Sequence, residues 1–177
     1  MKQHQKRSTE DWKRCQWAEK NSLLQRYHDE EWGIPVEEDV AFFERLVLEM
    51  FQAGLSWRLV LQKREALRRA FSGFSISKVA AFGTKDIDRL LSDKGIIRNR
   101  RKIEGAIANA RIFSEIIETH GSFKNYLSQF DDSDEQTLFK EFKKRFRFMG
   151  PKIAESFLQS VGKLPAPHEP GCWRNRV

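Results

Sequence analysis

Apolar and polar residues alternate along this chain with a helical period almost from end to end. In "DVAFFERLVLEMFQAG" the residues Val40, Phe43, Leu46, Val47 and Met50 fall on one helical face, the pattern of an amphipathic helix. Asp39 stands where an N-cap belongs, and Gly54 where a terminator belongs. "SWRLVLQKREALRRAF" starts at a capping serine, Ser56, then alternates basic residues with an apolar stripe. Shorter helices are expected from Ser75 and from Thr84, the second stopped at Gly95. In "NRRKIEGAIANARIFSEIIETHG" the residues Ile103, Ile107, Ala110, Phe113 and Ile117 recur at steps of four, three, three and four, which predicts one long amphipathic helix. Ser122 is placed to cap another. With no alternating strand, Asn-Gly hairpin turn or internal repeat, the expected fold is all-α.

"LFKEFKKRFRFMGPKIAESFLQSVG" reads as helix, tight turn, helix over about residues 138–161. Gly150 offers a permissive backbone, and Pro151 suits the first position of the second helix. Lys143, Lys144, Arg145, Arg147 and Lys152 surround the turn. A helix N-terminus with basic neighbours can hold a phosphate and position DNA without reading its sequence. A solvated helical hairpin fits the same pattern. "FDDSDEQ" is expected to be a loose acidic linker, and residues 1–12 a flexible tail before a single domain over 13–177 of two helical lobes.

Composition narrows the setting. The chain of 177 residues carries a formal net charge of +7 with a sequence pI near 9.5, a balance that favours polyanionic partners. Its two cysteines are too few for a disulfide scaffold. "MKQHQKRSTEDWKR" lacks the apolar stretch of a signal peptide, and no apolar run is long enough to span a bilayer. An intracellular, cytoplasmic protein with no membrane partner is expected. A monomer is expected too, since no heptad or apolar seam argues otherwise.

Two groups of residues carry candidate chemistry. Cys15 and His28 lie near one end of the chain with twelve residues between them, and His168 and Cys172 near the other with three. Thiolates and imidazoles are the ligands of closed tetrahedral zinc sites, so these four can form a Cys2His2 set that staples the chain ends together. Spacing alone equally allows two free cysteines and two ordinary histidines. In "LEMFQAGLSW", Glu49 sits beside Met50 and Phe51 on an otherwise apolar stretch, and an unpaired buried carboxylate is costly. Trp57 follows, and Trp17, Tyr27 and Trp32 lie near the metal-type residues. Aromatic faces with one carboxylate suit a flat, positively charged base, through stacking and cation–π attraction of about 0.5–2 kcal/mol. An exposed Glu49 among core aromatics is the other reading.

The segments "RCQW", "YHDEEWGIP", "LEMFQAGLSWRLVLQKRE", "GIIRNRRKI" and the terminal His168-x-x-x-Cys172 resemble the DNA-3-methyladenine glycosylase I family of the helix-hairpin-helix superfamily. The resemblance runs from about Cys15 to Cys172, and "QAGLSW" together with "YHDxEWG" is highly specific. It implies a helix-hairpin-helix glycosylase fold whose ends are joined by one structural Zn²⁺ on Cys15, His28, His168 and Cys172. It implies a base pocket of Trp17, Tyr27, Glu49 and Trp57, with Glu49 also the catalytic candidate. A DNA wedge falls on Leu55 beside Gly54, and the hairpin on residues around Gly150, with Lys152 a phosphate contact. The implied activity is monofunctional hydrolysis of the N-glycosidic bond of 3-methyladenine in double-stranded DNA carrying alkylated bases.

The chain departs from the pattern in places. Relatives in the superfamily typically carry an Asp after the hairpin, yet no Asp follows Asp134. Lys152 in "GPKIA" resembles the Schiff-base lysine of bifunctional glycosylase/lyases, but lacks that Asp partner. Leu24 stands where many members have a tyrosine, and the stretch between Tyr126 and Phe139 is short for the family. A zinc-stapled module that recognises damaged DNA without cleaving it remains the alternative from another class, separated from an enzyme by the pocket residues.

Overall fold

The apolar stripe around Leu46 builds α2 (Asp39–Gln52), the helix on which the rest of the chain is assembled. In the computed structural model, which describes residues 12–175, Phe43, Leu46, Val47 and Met50 are fully buried. Val40 is the exception, exposed at the first turn of α2. Asp39 does not cap its own helix: the N-cap is Glu38, without a side-chain bond. Asp39 Oδ1 instead accepts the Phe123 N–H at 2.7 Å. The free N–H groups at the start of a neighbouring helix are as good a partner for a carboxylate as its own turn.

The other helices are α1 (Ser22–Glu30), α3 (Trp57–Ala70), α4 (Ile76–Ala80), α5 (Thr84–Ser92), α6 (Arg100–His120), α7 (Phe123–Ser128), α8 (Glu135–Arg145) and α9 (Pro151–Ser160), and no strand occurs among the described residues. Side-chain oxygens of Asn21, Ser56, Asn99 and Ser122 accept the first free N–H groups of α1, α3, α6 and α7, caps of about 1 kcal/mol each. The acidic stretch is less loose than expected, because Asp134 caps α8 through the Thr137 N–H and Glu135 is already helical.

Phenylalanine fills the core. Phe113 of α6 stacks on Phe123 of α7 with centroids 4.1 Å apart, and Phe142 packs on Phe146 and on Phe157 of α9. Helix α6 lies on α4, α5, α7 and α2; α9 lies on α8 and α2, while α3 lies on α1 and α2. Helix α2 is therefore flanked by α3 and α9.

Helices α8 and α9 form the expected helix, turn, helix, with Pro151 in the first turn of α9. Gly150 has an ordinary φ of −62°, so its expected permissiveness goes unused. The left-handed residue is Phe148, with φ 61°. Asn109 of α6 accepts the Arg147 N–H at 2.8 Å and donates to the Arg147 carbonyl at 3.0 Å. The Phe148 ring then lies over Gly105, where a Cβ would come within 2.8 Å of it. Tertiary contacts, not glycine, set this turn.

Residues 1–11 of the expected tail lie outside the described residues. Trp12 is placed, with its ring 4.2 Å from that of Trp173. No helix among the described residues is long and apolar enough to cross a membrane.

Candidate active site

Helices α1, α2, α3 and α9 converge on a cavity of about 280 Å³, near the small end of ligand cavities. Helix α1 supplies Tyr27, α2 supplies Glu49 and Gln52, α3 supplies Trp57, and α9 supplies Ser156 and Gln159. Trp17 and Trp32 close it from the segments flanking α1. Glu49 and Gln52 share a helix face by their spacing of three, as do Ser156 and Gln159. The walls are aromatic: Tyr27 meets Trp57 at 4.9 Å and Trp17 meets Trp32 at 5.2 Å, both edge to face.

The polar groups here are under-satisfied. Trp57 Nε1 is buried without a hydrogen-bond partner, at a cost of about 1–3 kcal/mol, and the buried Tyr27 Oη has the Arg45 guanidinium as a polar neighbour outside good hydrogen-bond geometry. Burial pushes the Glu49 carboxyl up to about 8, and the Arg45 charge pulls it back only in part. Burial and the nearby Glu49 also raise the Tyr27 hydroxyl, so it stays protonated. Arg45 itself stacks on the Tyr27 ring, 5.2 Å from its centroid, and pairs with Glu31 at 2.6 Å. Burial works against the Glu31 carboxylate, but Arg64 and Arg45 hold it below its ordinary range. Arg64 continues the chain of charges to Glu44 and Arg68. The arrangement sets the Glu49 carboxyl among the aromatic walls of Trp17, Tyr27, Trp32 and Trp57.

Directly beside the cavity, residues 13–16 meet residues 168–173. Ligand atoms of Cys15, His28, His168 and Cys172 all lie within 4.8 Å of one another. Cys172 Sγ is 3.3 Å from His28 Nε2 and 3.8 Å from His168 Nδ1, and Cys15 Sγ is 3.7 Å from His168 Nδ1. Those separations match the roughly 3.3–3.8 Å edges of a tetrahedral shell with zinc-type bond lengths. Both cysteines are free and buried. Burial raises the Cys15 thiol to about 11, so a thiolate in this place calls for a cation against it. The cluster can hold a metal ion.

Asp29 organises the surroundings. It meets His28 Nδ1 at 2.8 Å, pairs with Arg14 at 2.7 Å and accepts the Trp173 indole N–H at 3.2 Å. A carboxylate on the far nitrogen of a metal-type histidine fixes its tautomer and ring direction. Burial opposes the Asp29 charge, yet Arg14, His28 and Trp173 keep it below its ordinary range. The backbone is stitched too: Trp173 N–H donates to the Lys13 carbonyl and Gln16 N–H to Glu169. Trp17 and Trp32 pack on His28 and His168, so the clasp and the cavity share walls.

Comparison with known proteins agrees with this geometry. Residues 17–144 match the methyladenine glycosylase family model. The chain is 38% identical to DNA-3-methyladenine glycosylase 1 of Escherichia coli, over 90% of this chain and 95% of that one. The chain belongs to the methyladenine glycosylase family. A crystal structure of 3-methyladenine DNA glycosylase I superposes with a TM-score of 0.85 at 36% identity, over 93% of this chain and 100% of the other. A variant of a 3-methyladenine DNA glycosylase I in complex with 3-methyladenine superposes at 0.84 with 31% identity, over 93% and 98%.

In this methyladenine glycosylase the structure brings Trp17, Tyr27, Glu49 and Trp57 onto one cavity, and Cys15, His28, His168 and Cys172 into one cluster. Gly54, with φ 80°, and the half-buried Leu55 lie in the turn joining α2 to α3, between the cavity residues Gln52 and Trp57. Gly150 and Lys152 stand at the opposite end of α9 from Gln159; Lys152 is exposed and paired with Glu155. Leu24 is buried with Tyr27 and Leu61. Sequence reasoning missed Arg45, Gln52, Ser156 and Gln159. The one available signal was the three-residue spacing of Glu49 and Gln52; nothing in the sequence of α9 says which face meets α2.

Proposed function

We propose that this glycosylase flips 3-methyladenine out of alkylated double-stranded DNA and hydrolyses its N-glycosidic bond, acting as a monofunctional, monomeric enzyme. The observation that carries the reading is the buried Glu49 carboxyl, offset only in part by Arg45, on a cavity walled by Trp17, Tyr27, Trp32 and Trp57. Such a carboxyl gains most from a cationic, donor-bearing ligand that pairs with it.

Alkylation at N3 gives the base a positive charge and weakens its pairing, so extruding it costs only a few kcal/mol. Leu55, at the tip of its turn, fills the gap left in the stack, as apolar wedges do. Glu49 accepts hydrogen bonds from the flipped base and, once ionised, balances its charge. Trp57 stacks on the ring, and Tyr27 and Trp17 complete the walls. The bond between the base nitrogen and the sugar C1′ then breaks, its electron pair neutralising the departing base. A water oxygen bonds to C1′ of the oxocarbenium-like centre and gives up a proton to solvent water. Glu49 serves catalysis by orienting and charge-balancing the base, and orientation with the substrate's own lability supplies most of the rate.

The turn between α8 and α9 is the hairpin of a helix-hairpin-helix element over about 138–161. Its N–H groups at Gly150, with Lys152 nearby, hold a DNA phosphate. Cys15, His28, His168 and Cys172 hold one Zn²⁺. Four protein ligands close the shell, so the ion's work is structural: it joins residues 13–17 to 168–173 and steadies Trp17, Tyr27 and Trp32 within a single domain of two helical lobes over 13–177.

Release of free base from methylated duplex DNA tests the reading. Folded wild-type protein in excess is expected to free 3-methyladenine; if it binds the DNA and frees nothing, the catalytic reading fails and a damage-binding module stands in its place. Borohydride trapping is expected to give no covalent complex; a trapped species lost in Lys152→Ala would overturn the monofunctional assignment.

A further inference from the structure

Lys102 is a buried lysine that none of the steps above uses. It sits in the first turn of α6, Arg100-Arg101-Lys102, a turn that holds no acidic residue of its own, Arg100 pairing outward with Asp88 and Glu104. A cation at a helix N-terminus opposes the macrodipole, so α6 itself gains nothing electrostatic from this ammonium. Nor does a carboxylate hold it: Lys102 Nζ donates to the Phe51 carbonyl at 2.9 Å and the Ala53 carbonyl at 2.6 Å. Those carbonyls belong to the C-terminal end of α2 and its exit turn, where a cation is favoured. The Lys102 backbone is itself fixed, its N–H accepted by the capping Asn99 side chain at 3.1 Å.

The turn so gripped is the one that carries Leu55. Leu55 N–H donates to the Gln52 carbonyl at 2.7 Å; Ala53 has φ −50° and ψ 114° and Gly54 has φ 80°, the form of a type II turn that needs glycine at its third position. A Cβ on Gly54 would meet nothing within 4 Å, so the outer face of the turn has no packing to hold it. Its attachments come from the stem: the Gln52 side chain donates to the Leu55 carbonyl at 3.2 Å, and Lys102 grips the two carbonyls on the other side. We infer that Lys102 is a positioning residue, which clamps the α2–α3 turn so that Leu55 stands at a fixed height to enter the DNA stack. The inference rests on the glycosylase reading above. A rigid wedge is useful because entropy spent ordering the turn before binding is not spent during it.

The test separates loop positioning from general folding. Lys102→Met keeps the stem and removes the donors. With folding verified by thermal melting, single-turnover excision from methylated duplex is expected to fall about tenfold, while binding of free 3-methyladenine, read by tryptophan quenching, stays within about twofold. In a Leu55→Ala background the same substitution is expected to cost less than about twofold more, because two residues acting through one step are not additive. Should Lys102→Met fail to fold, Lys102→Leu, which also removes the donors on a shorter apolar stem, is read in the same way. Unchanged excision, a parallel loss of free-base binding, or full additivity with Leu55→Ala would each overturn the inference. Wild-type protein that frees no base would instead overturn the function on which it rests.

Discussion

Tyr27 and His28 are neighbours on α1, yet they serve regions built on opposite rules. His28 turns into the clasp, where Asp29 meets one ring nitrogen and Cys172 the other, and Asp29 is further paired with Arg14 and Trp173. Tyr27 lines the cavity, where the Trp57 indole N–H is buried without a partner and Glu49 is buried with only Arg45 to offset its charge. A fully paired polar cluster stabilises a fold, and a half-paired one is worse than an apolar core. On the reading proposed above, the clasp is expected to hold the molecule together and the cavity to be kept at the expense of stability for what it binds. Substitutions should separate the two: changes at the clasp lower stability, and changes in the cavity lower activity with stability kept or raised.

The largest effect is expected at the clasp. Chelation, or Cys172→Ser, should lower the melting temperature by more than about 10 °C, since structural metal binding is folding free energy. Metal analysis should find one tightly bound zinc per chain. Less than one zinc, or melting unchanged by both treatments, would leave the clasp without its assigned role.

The next effect is the pH dependence set by Glu49. Its folded value of about 8 lies above the 4.5 of an ordinary glutamate. The folded state thus binds the proton more tightly, and the stability this contributes is complete below about pH 4.5 and is lost as pH rises through about 8. Thermal melting across that window should show the decline in wild type and a flatter line in Glu49→Gln. Excision should move the other way: kcat/KM is expected to rise with pH toward a plateau above about 8, as the carboxylate that balances the cationic base forms.

A smaller effect is expected from Trp57→Phe, which keeps a stacking ring and removes the unpartnered N–H. Single-turnover excision should slow about tenfold, while the melting temperature stays level or rises by about 1–3 °C. A clear fall in melting temperature would show that the indole N–H is paired in solution, and would blur the contrast between the regions.

The parts legible in the sequence were those governed by local rules. The apolar period placed α2 and α6, and short polar side chains before a stripe marked the caps at Ser56 and Ser122. The ligand set was legible because cysteine and histidine are scarce and chemically specific, although spacing alone left it open and only the family resemblance gave it meaning. Tertiary substitution of one partner for another was not legible. Asp39 looked like a cap for its own helix and serves Phe123 instead; Gly150 looked like the permissive residue of its turn, but the left-handed backbone falls on Phe148, held by Asn109 and seated over Gly105. Gln52, Ser156 and Gln159 were missed because polar helix residues acquire a role only through the helix that faces them. Lys102 was hidden in the same way, inside a run of three cations that reads as solvated.

The contrast between clasp and cavity is tested most directly by Glu49→Gln, measured twice on one preparation at pH 8: thermal melting, and single-turnover release of 3-methyladenine from methylated duplex. The expected result is excision slowed at least about a hundredfold, the range of a lost charge-stabilising group, with a melting temperature equal to or above that of wild type. Excision at the wild-type rate, or a loss of activity that merely follows a loss of stability, would contradict it.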